Sequence, residues 1–388
     1  MSCGKGLFEC EQVERARRYH RPLYVAAAGG IALNLGILAL LTFSVLGDHV
    51  YASTSGWSWW ARGLAFSVLV LTLTAVVGWP IAFWAGYVHE HAWSLSTQSA
   101  GGWFLDRLKG LTLNLVLGAS ALLGVVAAAR AWPALWPAVV APAAAAALLV
   151  LSFVAPLMLE PLFNRLTPLT DPELSGSLRS LADRAGVPVR RILVADASRR
   201  TRKLNAYVSG LGRTRRIVLF DTLVAEASTR EAQLVVAHEL GHRRARHLAK
   251  AMLLSMIGTA AFVIVAWALL GWPALRQSMG SSGPADPRIV PFLLLLGSAL
   301  SLLASPLGAA LSRRWERQAD AFSLALTDDP ETFESTHRRL ALSNLADLNP
   351  PQIVYLAWFS HPTPTERITA ARRAAHRPSP PGTPVAGA

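Results

Sequence analysis

The sequence has little cysteine and little charge. Its two cysteines, Cys3 and Cys10, form no Cys-x-x-Cys pair, which excludes a cysteine-based zinc ribbon and a thioredoxin-type redox site. Only 16% of the 388 residues are charged, whereas 52% are hydrophobic. A chain with this balance is typical of a multi-pass membrane protein rather than of a soluble globular one.

Acidic residues are scarcer than basic ones, with 24 Asp and Glu against 37 Lys and Arg and a formal net charge of +13. A basic excess of this size also occurs in nucleic-acid-binding proteins. Here, however, the basic residues cluster beside apolar segments instead of following one face with interleaved aromatic residues. This placement indicates membrane topology, and we expect no nucleic-acid partner.

Six segments contain no Asp, Glu, Lys or Arg and are long enough to cross a bilayer. They are residues 22–47, 63–88, 110–129, 133–159, 251–272 and 289–311. The alternative, a soluble protein with long buried helices, would need several fully apolar segments in one core. The predicted fold class is therefore a mostly α-helical multi-pass membrane protein of about six transmembrane helices, with a small α/β zinc-protease insertion on the cytoplasmic side.

The basic residues beside the spans predict the orientation, since short cytoplasmic segments carry an excess of Lys and Arg. Lys5, Arg15, Arg17, Arg18 and Arg21 precede the first span, Arg107 and Lys109 follow the second, and Arg313, Arg314 and Arg317 follow the sixth. We expect an integral membrane protein, in the cell membrane if the source is a bacterium. Its amino terminus and active site should face the cytoplasm.

These patterns divide the chain into six parts. They are a cytoplasmic amino-terminal tail (1–21), a four-span region (22–159), a cytoplasmic α/β segment (160–250), a transmembrane hairpin (251–311), a cytoplasmic helical segment (312–375) and a disordered tail (376–388). Within the α/β segment, Asp171 before Pro172 predicts a helix that ends near Gly186. Strands are predicted at 191–197, 205–210 and 215–219.

Residues 238–242 read His-Glu-Leu-Gly-His, an HExxH motif. Positions four apart share one face of a helix, so His238 and His242 can bind one metal ion. Glu239 can then act as general base on a water beside the metal. The motif predicts the metal-binding half of a zinc peptidase site.

A capping box of Ser228 and Glu231 predicts the start of the helix that carries the motif. The helix should continue through several arginines directly into the fifth span. The alternative interpretation is two surface histidines on an Arg-rich helix, and a third ligand is needed to decide between them.

A catalytic zinc takes three protein ligands and leaves one position open. The metzincin pattern is absent, because Ala245 and Leu248 replace its Gly and His, and no Asp-Gly pair exists for a membrane-embedded site-2 protease. Glu316 follows the sixth span, and the hairpin of the fifth and sixth spans returns the chain to the HExxH helix. Asp320, one turn later, can accept a hydrogen bond from a ligand imidazole.

An exposed ion pair with Arg313 or Arg317 is the alternative for Glu316. The presence of HExxH at the matching membrane boundary favours the ligand. A structural zinc in a non-catalytic scaffold would normally have four protein ligands, and the sequence offers three.

The motifs resemble those of the integral-membrane type I CAAX prenyl proteases, which are zinc metallopeptidases with HExxH followed by ExxAD. The matching stretches are 238–242 and 316–320, Asn205-Ala206-Tyr207, Ile217–Leu223, Pro161–Leu169, and His361-Pro362 through Glu366-Arg367. Two features depart from the family. The chain has six predicted spans where eukaryotic members have seven, and the loop at 91–99 matches the family only loosely.

The resemblance implies one Zn²⁺ per chain, bound by His238, His242 and Glu316, with Glu239 as catalytic base. It also implies that Asn205 and His361 face the scissile peptide bond and that Arg367 supports the site. A histidine near the polarised carbonyl is in addition a reasonable oxyanion donor.

The predicted function is zinc-dependent hydrolysis of peptide bonds at the membrane. The resemblance implies a peptide or protein substrate with a prenylated carboxyl terminus, and the alternative is quality-control proteolysis of misfolded membrane proteins. A transporter or channel is disfavoured because the predicted spans contain no ionisable Asp, Glu, Lys or Arg.

Overall fold

Six long apolar helices dominate the computed structural model, which describes residues 6–210 and 212–375. They are Cys10–Phe43, Trp59–Ala92, Ala100–Ala131, Trp136–Phe163, His247–Leu270 and Pro287–Thr327, with mean hydropathies of 2.0 to 2.4 over their most apolar windows. Each overlaps one predicted span. The prediction of a mostly helical protein with about six membrane helices and a small sheet is confirmed.

The shorter helices lie between and after these spans. They are Val45–Ala52, Pro172–Arg184, Asp221–Glu226, Thr229–Arg244, Pro273–Ser278, Pro330–Ser343, Gln352–Trp358 and Pro364–Ala375. The Asp171 cap is confirmed, because its Oδ1 accepts hydrogen bonds from the N–H groups of Glu173 and Leu174.

Some helix ends differ from the predicted segment boundaries. The first helix begins at Cys10, inside the segment assigned to a tail. The last long helix, Val290–Thr327, continues without interruption past residue 312, because no strong helix breaker follows the apolar part. The predicted disordered tail, 376–388, lies outside the described residues.

Large apolar side chains pack between the spans. Phe66, Val126, Trp136, Leu270 and Ile289 are almost completely buried there. Other apolar side chains point outward, such as Leu303 and Leu307, which are 75% and 76% exposed. A bilayer would cover such outward-facing residues, as expected for helices that face lipid.

A four-stranded sheet stands beside the membrane helices. Its strands are β1 (Leu166–Pro168), β2 (Arg191–Ala195), β3 (Ala206–Ser209) and β4 (Arg216–Phe220), in the order β1-β2-β4-β3. The pair β2–β4 is parallel and the other two pairs are antiparallel. The three predicted strands correspond to β2, β3 and β4. β1, only three residues long and ending in proline, was not predicted.

The helix Thr229–Arg244 (the metal helix) packs against β3, which is an edge strand of the sheet. The predicted capping box of Ser228 and Glu231 is present at its start. The expectation that this helix runs directly into the fifth span was wrong. The metal helix ends at Arg244, Arg246 takes a left-handed conformation at φ 57°, and the span begins at His247.

Candidate metal centre

The metal helix packs closely against the helix Val290–Thr327 (the glutamate helix), and Gly241 makes this approach possible. A Cβ at Gly241 would lie 3.1 Å from the Cα of Ala319 and 3.1 Å from Cδ1 of Phe322. Such a contact is tighter than most side chains tolerate, so any larger residue would push the two helices apart. The close packing brings the side chains of the two motifs together.

Three predicted ligands converge between these helices. The carboxylate of Glu316 lies 3.2 Å from Nε2 of His238 and 3.2 Å from Nε2 of His242. The two Nε2 atoms are 3.1 Å apart. Each of the three residues offers one ligand atom, and these three atoms lie within 4.8 Å of one another.

Asp320 and Arg367 hold the outer nitrogen of His238. Nδ1 of His238 lies 2.8 Å from Oδ1 of Asp320, and Nε of Arg367 donates to Oδ2 of Asp320 at 2.9 Å. Burial alone would lower the pKa of His238, but its hydrogen bonds to Asp320 and Glu316 raise that pKa to about 9. These contacts favour a proton on Nδ1 and direct Nε2 toward Glu316.

His247 holds the outer nitrogen of His242. The two Nδ1 atoms are 3.0 Å apart, and Nε2 of His247 lies 3.0 Å from Oε1 of Gln318. The His247 ring stacks on Trp315 at a centroid distance of 5.2 Å. The sequence analysis did not identify this role, although a histidine five residues after the motif was a usable signal.

The geometry fits a metal ion. Oε2 of Glu316 is buried, and Nε2 of His238 lies 3.2 Å from it. The outer nitrogens of His238 and His242 both have partners, so their Nε2 lone pairs face each other and repel unless a cation lies between them. Two imidazoles and one carboxylate form the ligand set of catalytic zinc sites, with room for a fourth ligand.

The alternative interpretation of Glu316 is an exposed ion pair with Arg313, and the structure does not show that pair. The guanidinium of Arg313 donates instead to the carbonyl oxygens of Tyr355 and Phe359, at 2.8 and 2.7 Å. Arg313 therefore anchors the segment before His361 and leaves the Glu316 carboxylate to the histidines.

A cavity of about 540 Å³ opens onto this cluster. Among its lining residues are Asn205, His238, Glu239, His361 and Arg367. The carboxyl group of Glu239 is mostly buried, and this burial raises its pKa. A raised pKa suits a carboxylate that accepts and returns a proton near neutral pH.

His361 lies at the mouth of the cluster. Its Nε2 is 3.3 Å from Oε1 of Glu316, and its side chain is 59% exposed. Its Nδ1 lies 2.8 Å from Oγ of Ser360. The structure thus places all eight predicted site residues in the metal cluster, around it or on its cavity.

The chain is similar to known membrane proteases over most of its length. The sequence model described as "Peptidase family M48" matches residues 168–375, and that described as "CAAX prenyl protease N-terminal, five membrane helices" matches residues 5–165. Among the described residues, four candidate spans lie within residues 5–165.

Individual relatives agree with this match. The "Uncharacterized metalloprotease YhfN" of Bacillus subtilis is 31% identical over 317 residues, which cover 80% of this chain and 74% of that protein. "CAAX prenyl protease 1" of Saccharomyces cerevisiae is 32% identical over 332 residues, with coverages of 80% and 72%. The crystal structure of S. mikatae Ste24p superimposes with a TM-score of 0.82 at 26% identity, covering 95% of this chain and 91% of that one.

Proposed function

Because the chain belongs to peptidase family M48, we propose that His238, His242 and Glu316 bind a catalytic zinc ion in this membrane metalloprotease. The resemblance to CAAX prenyl proteases is confirmed by the family match and by the Ste24p structure. The proposal concerns the identity of the metal, the roles of the side chains, the substrate and the side of the membrane on which cleavage occurs.

One observation carries the zinc proposal. The Nε2 atoms of His238 and His242 face each other at 3.1 Å, beside a buried oxygen of Glu316. A metal ion between them satisfies all three groups at once. A zinc ion held by these three residues would supply Lewis-acid chemistry, because it would lower the pKa of a water and polarise a carbonyl group.

The side chains around the cluster have separate roles in peptide hydrolysis. Glu239 takes the proton of the attacking water and later delivers it to the leaving amine. His361 is exposed toward the cavity and donates a hydrogen bond to the oxygen on which negative charge develops. Asp320 and Arg367 keep His238 in the tautomer that leaves Nε2 free.

The edge strand β3 is where the substrate would bind. Among the residues that the structure describes, β3 pairs with β4 alone, and Asn205, just before β3, lines the cavity. An extended peptide can add to such an edge through backbone hydrogen bonds. Asn205 would then face the scissile bond.

Two substrate classes follow from the fold and its relatives. We favour a prenylated carboxyl-terminal peptide, because relatives that match both halves of the chain are named for that activity. Quality-control cleavage of misfolded membrane proteins is the second candidate. Comparing cleavage of a farnesylated peptide with its unprenylated twin separates them, since only the first class requires the lipid.

The positive-inside pattern supports a site on the cytoplasmic side. Arg314 and Arg317 are exposed next to the cluster, and the basic residues after the second span lie at the same end of the membrane helices. Labelling of a cysteine introduced at Arg314 in sealed inverted vesicles and in intact cells tests this side directly.

The decisive experiment compares the wild type with Glu239→Gln in detergent. We expect both proteins to contain one zinc per chain by elemental analysis, and only the wild type to cleave peptide. Glu316→Ala is expected to lose the zinc. Full cleavage by Glu239→Gln would disprove the role of this base, and unchanged zinc content in Glu316→Ala would disprove the third ligand.

A further inference from the structure

A second large cavity, of about 950 Å³, lies where the sheet meets the ends of two membrane helices. Its walls come from the start of the third span, the end of the fourth span, β1 and the helix Pro172–Arg184. Six basic residues line it: Lys109, Arg165, Arg179, Arg191, Arg199 and Arg216. One acidic residue, Asp196, lines it as well. The cavity is therefore strongly basic.

Half of the basic groups have acidic partners. Lys109 lies 3.8 Å from Asp106, Arg199 lies 3.5 Å from Asp196, and Arg216 lies 2.9 Å from Glu160. Within each of these three ion pairs the opposite charges largely cancel.

The other three arginines are uncompensated. Arg165, Arg179 and Arg191 are exposed, and none forms an ion pair with any acidic residue in the part of the chain that the structure describes. Exposed guanidinium groups grouped around one concavity favour a phosphate or another compact anion.

The cavity lies at the level where lipid headgroups are expected. Lys109 immediately precedes the apolar segment 110–129, and its Nζ donates to the carbonyl oxygen of Leu162 at 3.2 Å. This bond ties the start of the third span to the end of the fourth. Both ends mark the boundary between apolar and charged sequence, which is the headgroup region of a bilayer.

An apolar strip continues from the cavity along the fourth span. Leu162 lines the cavity and is 42% exposed, and Leu157 and Met158 on the preceding turn are 54% and 69% exposed. A soluble anion would use the arginines alone. A molecule with both a phosphate and hydrocarbon chains would cover the arginines and this strip together.

We propose that this cavity binds an anionic phospholipid. Its phosphate lies among Arg165, Arg179 and Arg191, and its acyl chains lie along the exposed leucine and methionine side chains of the fourth span. Basic pockets between membrane helices bind anionic headgroups by the same combination of positive charge and a position at the level of the headgroups. Arg165, Arg179 and Arg191 are not part of the metal centre, so the proposal is independent of the protease mechanism.

The test uses the full-length chain in detergent, titrated with fluorescently tailed phosphatidylglycerol and, separately, with the matching phosphatidylcholine. The double variant Arg179→Glu/Arg191→Glu is compared with Arg338→Glu/Arg373→Glu, which makes the same change in net charge on exposed arginines outside the cavity. Each basic residue near a membrane surface contributes about fivefold to binding of an anionic lipid. We expect phosphatidylglycerol binding to weaken by at least about 25-fold in the first variant, because each change removes a basic residue and also adds an acidic one. We expect little change in the second variant.

Three results would overturn the proposal. One is equal phosphatidylglycerol affinity in the wild type and Arg179→Glu/Arg191→Glu. Another is an equal loss in both double variants, which indicates unspecific attraction by net charge. The third is displacement of the lipid by inorganic phosphate at comparable concentration, which identifies a soluble-anion site. Size-exclusion elution and thermal stability confirm that each variant is folded.

Discussion

Nδ1 of His242 lies 3.0 Å from Nδ1 of His247, and this contact determines which nitrogen of His242 faces the metal site. The amide oxygen of Gln318 accepts a hydrogen bond from Nε2 of His247, so the neutral His247 ring presents an unprotonated Nδ1. That Nδ1 must accept, and His242 must therefore donate from its own Nδ1. The Nε2 of His242 is left with its lone pair directed at Glu316.

Replacing His247 should weaken metal binding without unfolding the protein. His247→Phe keeps a ring stacked on Trp315 but cannot accept the hydrogen bond from His242. We expect about 10–100-fold weaker zinc affinity in a chelator competition. His247→Asn restores an acceptor near the position of Nδ1 and should recover most of that affinity. Equal affinity in the wild type and His247→Phe would rule out this positioning role.

Replacing Asp320 should also weaken metal binding, because Asp320 contacts the outer nitrogen of His238. Asp320→Ala removes the partner of the His238 Nδ1 and leaves Arg367 without its carboxylate. We expect metal affinity or activity to fall by about 10–100-fold. Asp183→Ala, at an exposed position of the helix Pro172–Arg184, is the control. Zinc binding as tight as in the wild type would contradict the arrangement described here.

Gly241 should not tolerate a branched side chain. Gly241→Val adds atoms where even a Cβ lies 3.1 Å from Ala319 and Phe322, and overpacking of this kind typically costs about 1–3 kcal/mol. We expect a lower thermal unfolding temperature and reduced zinc content. Gly176→Val is the control, because no atom lies within 4 Å of a Cβ at that exposed helical position. A stable, fully metallated Gly241→Val protein would refute the close-packing argument.

Acidification should destabilise the soluble part of the molecule through His337. Burial lowers the pKa of His337 from 6.5 to about 3, while its ring stacks on Phe333 at 3.9 Å. Below pH 6.5 the unfolded chain binds a proton that the folded chain excludes. The free energy of unfolding therefore decreases as the pH is lowered. This residue contributes up to about 1.4 kcal/mol to the decrease per pH unit.

The variant His337→Asn cannot take up this proton. Its thermal stability should fall less steeply than that of the wild type between pH 6.5 and 4.5, and the two curves should run parallel above pH 7. His49→Asn, at an exposed position of the helix Val45–Ala52, is the matched control. Identical slopes for the wild type and His337→Asn would exclude His337 as the source.

Local sequence signals predicted the elements well where one strong feature dominates. Long uncharged segments predicted the six membrane helices of the described part of the chain, and the Ser228–Glu231 capping box predicted where the metal helix starts. Helix ends were less accurate. The break at Arg246 was missed because Arg246 takes a left-handed backbone that favours glycine, and no glycine marks the position in the sequence. The short strand β1 was missed because its pairing with β2 lies outside its own sequence.

The sequence by itself determined the membrane class and predicted the two candidate ligands of the HExxH motif, because hydrophobicity and helical spacing are local properties. It predicted Glu316 as the third candidate from the hairpin that returns the chain to this motif. The roles of His247 and Gln318, and the basic cavity between the spans and the sheet, were decided only by tertiary structure. Both features join residues far apart in the chain. His247 meets Gln318 because two helices approach closely at Gly241 and Ala319, and the cavity forms where the sheet meets the ends of two spans. Spacing along the chain specifies which residues share a helix face, whereas the packing of one helix on another specifies which faces meet.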